Sequence, residues 1–209
     1  YFLGPAATIK LVLDRLLMVA GRVDEPIPLP RPVVTIATAG LEGWRGVALP
    51  YLNALAASFG YRPIVSLVAV APGPGEVLLD EALMARILTA GHRLGRGELE
   101  ADPPPSNVCP ICYCGSFVLE GERLTCPICA CEATMDQEGE EPRLRFDLAS
   151  DGSQRWTPEG LRKHMVEWVM ATGPRFLTRY PELKARRRPY RQTEVTWLCP
   201  PSAERGNRP

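Results

Sequence analysis

Six cysteines between residues 109 and 131 restrict the fold of this 209-residue chain most strongly. The sequences CPICYC and CPICAC place Cys109 with Cys112 and Cys126 with Cys129, in two C-x-x-C pairs separated by thirteen residues. Four thiolates at this spacing are typical ligands of a tetrahedral Zn or Fe ion. The intervening GSFVLEGERLT predicts a hairpin that turns at Glu120 and Gly121. Together these features predict a zinc ribbon, in which a structural metal contributes on the order of 10 kcal/mol to folding.

The remaining cysteines leave alternatives open. Cys114 and Cys131 each follow a pair by two residues. They are interpreted as thiols beside the ligands, as alternative ligands, or as part of an iron-sulfur site. Cys199 is isolated and is interpreted as a buried or tail thiol. Cysteines at metal-ligand spacing favour a reducing compartment over a disulfide framework, so a cytoplasmic protein is expected.

Residues 1–96 show the pattern of an α/β domain. Two short apolar runs, VVTIATAG and PIVSLVAVA, predict strands buried on both faces. Amphipathic segments predict helices over 5–20, 46–59 and 76–94, with Pro50 expected to kink or restart the second. The strand-helix-strand order predicts a parallel pair in a doubly wound sheet covered by helices. Because two strands are few for such a sheet, we expect further strands before Tyr1. A small, complete α/β domain is the alternative.

The rest of the chain divides by composition. A polar, proline-rich linker is predicted at 97–107, the zinc ribbon at 108–136, and a tail at 137–209. The tail contains a strand-like run, RLRFDLA, and two predicted helices: one is opened by Thr157 and Pro158 and runs to about residue 171, and the other lies near 174–185. Two roles are open for the tryptophans of this region: they pack in the interior or cover a substrate pocket. The residues are Trp156, Trp168 and Trp197.

Charge and hydropathy narrow the function classes. The formal net charge is zero, which argues against a dedicated nucleic-acid binder although residues 184–191 are strongly basic. No apolar run reaches the roughly 18 residues needed to cross a membrane. We therefore expect neither a membrane nor a nucleic acid as partner. The oligomeric state is left open, with a homo-oligomer among the alternatives.

Two loops carry the chemistry of the α/β domain. In open α/β sheets, ligands lie beyond the carboxyl ends of the strands. The loops YFLGP and TAGLEGW offer aromatic side chains and glycine-flanked N–H groups, which suit a planar heteroaromatic ring. The segments YFLGPAATIKLVLDR and VVTIATAGLEGW resemble the flavodoxin-like NADPH-dependent FMN reductase family, which includes the iron-sulfur flavoproteins. The resemblance covers roughly residues 1–95.

The resemblance implies a ring-binding half-site for FMN. One side of the ring would be lined by Tyr1, Phe2, Leu3 and Gly4, and the pyrimidine side by Thr38, Ala39, Gly40, Glu42, Gly43 and Trp44. The family's phosphate-binding loop follows an earlier strand that this sequence does not contain. We therefore expect residues 1–209 alone to be the C-terminal part of the domain, to retain FMN weakly and to lack activity.

The implied function is an NAD(P)H-dependent flavin oxidoreductase that passes electrons to a small-molecule or protein acceptor. No catalytic side chain is assigned, because a flavin carries the hydride chemistry itself. Two alternatives remain: a zinc-ribbon interaction protein that binds protein or nucleic acid without catalysis, and a flavoprotein whose ribbon holds redox iron.

Overall fold

A parallel pair of strands forms the centre of the α/β part. In a computed structural model, which describes residues 3–15, 31–136, 143–148 and 155–191, strand β1 spans Arg31–Ala39 and β2 spans Tyr61–Val70. The two strands run parallel with Thr35 beside Ser66, which confirms the predicted pairing. Within the described residues this sheet has two strands.

Three helices accompany this sheet: α1 (Ala7–Asp14), α2 (Ala48–Ser58) and α3 (Glu81–Gly95). The expectation that Pro50 kinks or restarts the second helix is wrong, because α2 begins at Ala48 and Pro50 lies in its first turn, where proline is tolerated. Residues 76–79 form a 3₁₀ turn, and α3 begins after Asp80, whose carboxylate accepts a hydrogen bond from the Leu83 N–H at 2.9 Å. The part of the predicted 5–20 helix beyond residue 15 lies outside the described residues.

Helices α2 and α3 cover opposite faces of the strand pair. Side chains alternate between faces along a strand. Thr35 and Ser66 point towards α2, where they hydrogen-bond to Asn53. The next register pair, Ile36 and Leu67, lies in the cluster that contains α3 residues Leu83, Ile87 and Ala90. The fold class is therefore mixed α/β, with a parallel sheet covered on both faces.

The predicted linker is fastened to the sheet and to α3. The Arg93 side chain on α3 donates to Glu98 at 3.1 Å and to Asp102 at 2.6 Å. The Asp102 N–H donates to the Ile64 carbonyl at 2.9 Å, at the edge of β2. These bonds hold the segment that leads into the cysteines against the α/β part.

The cysteine segment forms a second, antiparallel sheet. Its strands are β3 (Val118–Glu120), β4 (Arg123–Thr125), β5 (Glu132–Asp136) and β6 (Arg143–Asp147), in that order. The predicted hairpin is present, with Glu120 opposite Arg123 and Gly121 in the turn at φ 64°. The strand-like run RLRFDLA supplies β6, which pairs with β5. We call residues 108–136 and 143–148 the cysteine module.

Helical structure resumes at Thr157, whose hydroxyl accepts from the Gly160 N–H at 3.1 Å. Helix α4 spans Pro158–Lys163, and a π-helix follows at His164–Met170. The chain divides into two compact units, Tyr1–Met170 and Ala171–Pro209. The second contains α5 (Ala171–Arg191), which is longer than the helix predicted near 174–185 and includes three prolines. Trp197 and Cys199 lie outside the described residues. Among the described helices, none combines the length and apolarity of a bilayer span.

Candidate functional site

The two cysteine motifs adopt the same backbone conformation. In the first, the Cys109 N–H donates to the Cys114 carbonyl at 2.8 Å; in the second, the Cys126 N–H donates to the Cys131 carbonyl at 2.9 Å. Tyr113 and Ala130, at equivalent positions, have φ of 63° and 56°. The left-handed backbone conformation at this position turns each motif back on itself. Both thiols of each pair therefore face the other motif.

The predicted ligands come together in the interior of the cysteine module. The sulfur atoms of Cys109, Cys112, Cys126 and Cys129 all lie within 4.8 Å of one another and are buried. The Cys112 and Cys126 Sγ atoms are 3.6 Å apart. In a tetrahedral site with metal–sulfur bonds of about 2.3 Å, neighbouring sulfurs are about 3.8 Å apart. The four thiols thus fit a tetrahedral metal ion.

The ionisation of these thiols shows why a cation suits the cluster. A hydrogen bond from Cys112 lowers the pKa of Cys109 to about 4, and the same interaction raises the pKa of Cys112. Hydrogen bonding to Cys109 lowers the pKa of Cys126 and raises that of Cys129. Two thiols therefore lose their protons more readily than the others. Four thiolates at this separation need a cation between them, because they are close and out of water.

Cys114 and Cys131 lie next to the four-thiol cluster and are buried. The Cys114 thiol donates to the Ser116 carbonyl at 3.4 Å, and the Cys131 thiol lies 3.7 Å from the Asp147 carbonyl on β6. Their thiol groups are thus directed to backbone oxygens, while their own carbonyls close the two motifs. This explains their repeated spacing without assigning them to the metal.

Both motifs are anchored from outside through the carbonyl of their second ligand. Asn53 on α2 donates to the Cys112 carbonyl at 3.3 Å, and the Arg155 N–H donates to the Cys129 carbonyl at 2.9 Å. The Trp156 indole N–H donates to the Ile128 carbonyl at 2.9 Å. The α/β part and the segment at 155–156 thereby hold one motif each. Neither anchor was predicted, because both join residues far apart in sequence.

A second candidate site lies at the carboxyl end of β1. A cleft of about 390 Å³ is lined by Gly4, Thr38, Ala39, Gly40, Leu41, Trp44, Arg45 and Ala48. We call it the β1 cleft. It brings together the two loops that the sequence singled out, since Gly4 comes from one and Thr38–Trp44 from the other. Its volume is in the range of small-molecule sites.

The two loops are joined directly. The Val47 N–H donates to the Leu3 carbonyl at 2.7 Å. A Cβ added to Gly46 would lie 2.2 Å from that carbonyl oxygen, and Gly46 has φ of 46°. Glycine is therefore required there on both steric and conformational grounds. Leu3 supports the cleft through its backbone, whereas Tyr1 and Phe2 lie outside the described residues.

A 3₁₀ turn at Glu42–Trp44 forms the rim of the β1 cleft. The Trp44 N–H donates to the Leu41 carbonyl at 3.0 Å, and the Arg45 N–H donates to the Glu42 carbonyl at 3.4 Å. Glu42 pairs with Arg45 at 2.8 Å, and neither Glu42 nor Gly43 lines the cleft. The turn brings Arg45 and Leu41 to the rim. Neither Arg45 nor Leu41 was predicted to line the site, although Arg45 follows Trp44 directly.

Comparison with known proteins supports the fold. No family model and no curated protein matches the sequence. A solved structure of a flavone reductase matches with a TM-score of 0.67 and 19% identity, over 95% of this chain and 76% of the reductase. At this identity the similarity establishes a shared fold.

Proposed function

We propose that this protein is a flavin-dependent oxidoreductase that binds the ring of FMN in the β1 cleft. The observation that carries the proposal is the meeting of both sequence-predicted loops at one cleft beyond a parallel strand. That position is where open α/β folds hold ligands. The shared fold with a flavone reductase is consistent with the assignment.

The residues of the cleft suit the ring of FMN. Gly40 lines the cleft, and the nearest atom to a Cβ added there is the Pro72 Cα at 4.0 Å, so the space beside this glycine is open to a ring. The Trp44 side chain is 60% exposed at the rim and can contact an aromatic face. Arg45 lines the cleft and pairs with Glu42 at 2.8 Å, so this ion pair stands at the rim beside the ring.

When bound, FMN supplies hydride transfer from NAD(P)H and onward electron delivery to an acceptor. The residues of the chain orient the ring and favour negative charge at the rim. Tyr1, Phe2, Leu3 and Gly4 are proposed for one side of the ring, as the resemblance implies. Thr38, Ala39, Gly40, Glu42, Gly43 and Trp44 are proposed for the other.

We further propose that the cysteine module is a zinc ribbon with Zn held by Cys109, Cys112, Cys126 and Cys129. The ion would be structural, since four protein thiolates leave no open coordination position. Iron is the alternative occupant, and metal analysis of the purified chain separates the two. We expect zinc at one ion per chain and no iron-thiolate absorption.

The flavin proposal is tested by titrating FMN into the chain and into Trp44→Ala. Loss of a ring contact worth about 0.5–1.5 kcal/mol weakens FMN binding by about three- to tenfold. Tyr190→Ala is the matched control, because that tyrosine is 79% exposed and does not line the β1 cleft. Equal FMN affinity in Trp44→Ala and in the unmodified chain would remove FMN from this cleft.

A further inference from the structure

Two further clefts share no lining residue with the β1 cleft, and both are lined by Trp156. One has a volume of about 460 Å³ and the other about 330 Å³. They share Arg155, Trp156, Leu161 and His164. We call the two together the aromatic groove.

Aromatic side chains flank the groove. Tyr51 on α2 lines the larger cleft, Trp168 lines the smaller, and Trp156 borders both. The Trp156 ring is fixed by its hydrogen bond to the Ile128 carbonyl at 2.9 Å. Trp168 is 57% exposed, so its ring is accessible to a ligand in the smaller cleft. Flat aromatic surfaces at fixed positions favour a flat aromatic ligand.

The charges of the groove favour an anion. Lys10 and Asp14 on α1 pair with each other at one end. The other charged lining residues are Arg155 and Lys163, and both are cations. The Arg155 Nη1 atom donates to the Pro127 carbonyl at 2.5 Å and to the Ile128 carbonyl at 3.3 Å, and Lys163 is exposed at the end of α4. A negative group on the ligand would therefore meet two cations.

The backbone of the groove is also irregular. His164, Met165 and Trp168 belong to the π-helix His164–Met170. Such segments occur mostly as single turns and are frequent at functional sites. Here the π-helix places His164 and Trp168, four residues apart, on the same cleft.

We infer that the aromatic groove is a binding site for a planar aromatic anion, separate from the β1 cleft. Helix α2 contributes Ala48 to the β1 cleft and Tyr51 to the groove, and these two sites share no lining residue. The inference does not depend on flavin binding.

Calorimetric titration with 2-naphthoate tests the inference, with the uncharged 2-naphthamide as matched ligand. We expect 2-naphthoate to bind more tightly than the amide by about threefold or more, as two partly exposed cations allow. Trp168→Ala should weaken naphthoate binding by about three- to tenfold. Lys163→Gln should reduce the preference for the anion, because Arg155 remains, whereas Lys184→Gln, on α5, should leave it unchanged.

Trp44→Ala separates this site from the β1 cleft, because it alters an equally exposed tryptophan there. Naphthoate affinity should be unchanged in this variant. Trp168 is chosen over Trp156 because Trp156 packs against the buried cysteines and its loss endangers folding; metal content and circular dichroism check that each variant is folded. Unchanged naphthoate affinity in Trp168→Ala, equal affinity for the amide, or loss of binding in Trp44→Ala would each overturn the inference.

The same variants keep the two proposals distinguishable, since FMN is itself a planar aromatic anion. FMN binding that depends on Trp44 and naphthoate binding that depends on Trp168 supports both sites. FMN binding that depends on Trp168 would contradict the β1 cleft as the flavin site and support the groove.

Discussion

Asn53 offers the sharpest test of how the α/β part and the cysteine module are joined. Its side chain is fully buried, with 0% exposure, on α2. Its Oδ1 atom accepts from the Thr35 hydroxyl at 2.6 Å and from the Ser66 hydroxyl at 3.1 Å. Its Nδ2 atom donates to the Cys112 carbonyl at 3.3 Å. One amide thus connects both strands of the parallel sheet with a residue of the four-thiol cluster.

We expect Asn53→Ala to lower the free energy of unfolding by about 2–4 kcal/mol. Each lost hydrogen bond contributes about 1 kcal/mol, and an orphaned buried acceptor costs about 1–3 kcal/mol. The loss is moderated because the Thr35 and Ser66 hydroxyls, 2.9 Å apart, remain bonded to each other. The Cys112 carbonyl has no such substitute among the bonds described.

Urea unfolding of the metal-loaded chain measures this change, and a chromogenic chelator measures the rate of metal release. We expect faster release from Asn53→Ala, because the second ligand of the first motif loses its external anchor. Ser58→Ala is the matched control, since Ser58 lies on the same helix and its hydroxyl bonds only to the Leu55 carbonyl at 2.7 Å. A stability loss below about 1 kcal/mol together with unchanged metal release would refute this reasoning.

Three further predictions test other parts of the structure. Cys126→Ser should abolish stoichiometric metal binding and unfold the cysteine module, whereas Cys114→Ser should keep one metal ion per chain. Metal analysis of both purified variants tests this, and equal loss of metal in both would place Cys114 among the ligands. Gly46→Ala should displace Leu3, because the added Cβ would lie 2.2 Å from the Leu3 carbonyl oxygen. This variant should weaken FMN binding more than Gly43→Ala, where nothing lies within 4 Å of the added Cβ. Equal FMN affinities of the two variants would show that the loop contact does not shape the cleft. Hydrogen bonds, chiefly from Arg96 and also from Arg93, lower the pKa of Glu98 from 4.5, so its stabilising effect is present above that pH and is lost as the pH falls through the folded-state value. Urea unfolding should therefore show Glu98→Gln to be less stable than the unmodified chain near neutral pH and equally stable in acid, and a constant difference would contradict this assignment.

The parts of the fold that follow from local pattern were predictable. The apolar runs of β1 and β2 predict a parallel pair because a strand buried on both faces must lack polar alternation. The hairpin at Gly121 and the four clustered thiols follow from short-range spacing, which brings two ligands of each pair together in one turn. The predicted kink at Pro50 is wrong because the effect of a proline depends on where its helix begins, and the local sequence specifies helix boundaries only weakly.

Tertiary structure decided how these pieces act together. The bond from Asn53 to the Cys112 carbonyl joins residues 59 apart, and the Trp156 bond to Ile128 joins residues 28 apart. No local pattern announces such contacts, because a buried asparagine or an indole N–H accepts any suitably placed partner. The sequence by itself determined the strands, the turns and the four clustered thiols, since these depend on neighbouring residues. Only the folded chain decided which faces meet, and thereby placed Arg45 at the β1 cleft and Trp168 in the aromatic groove.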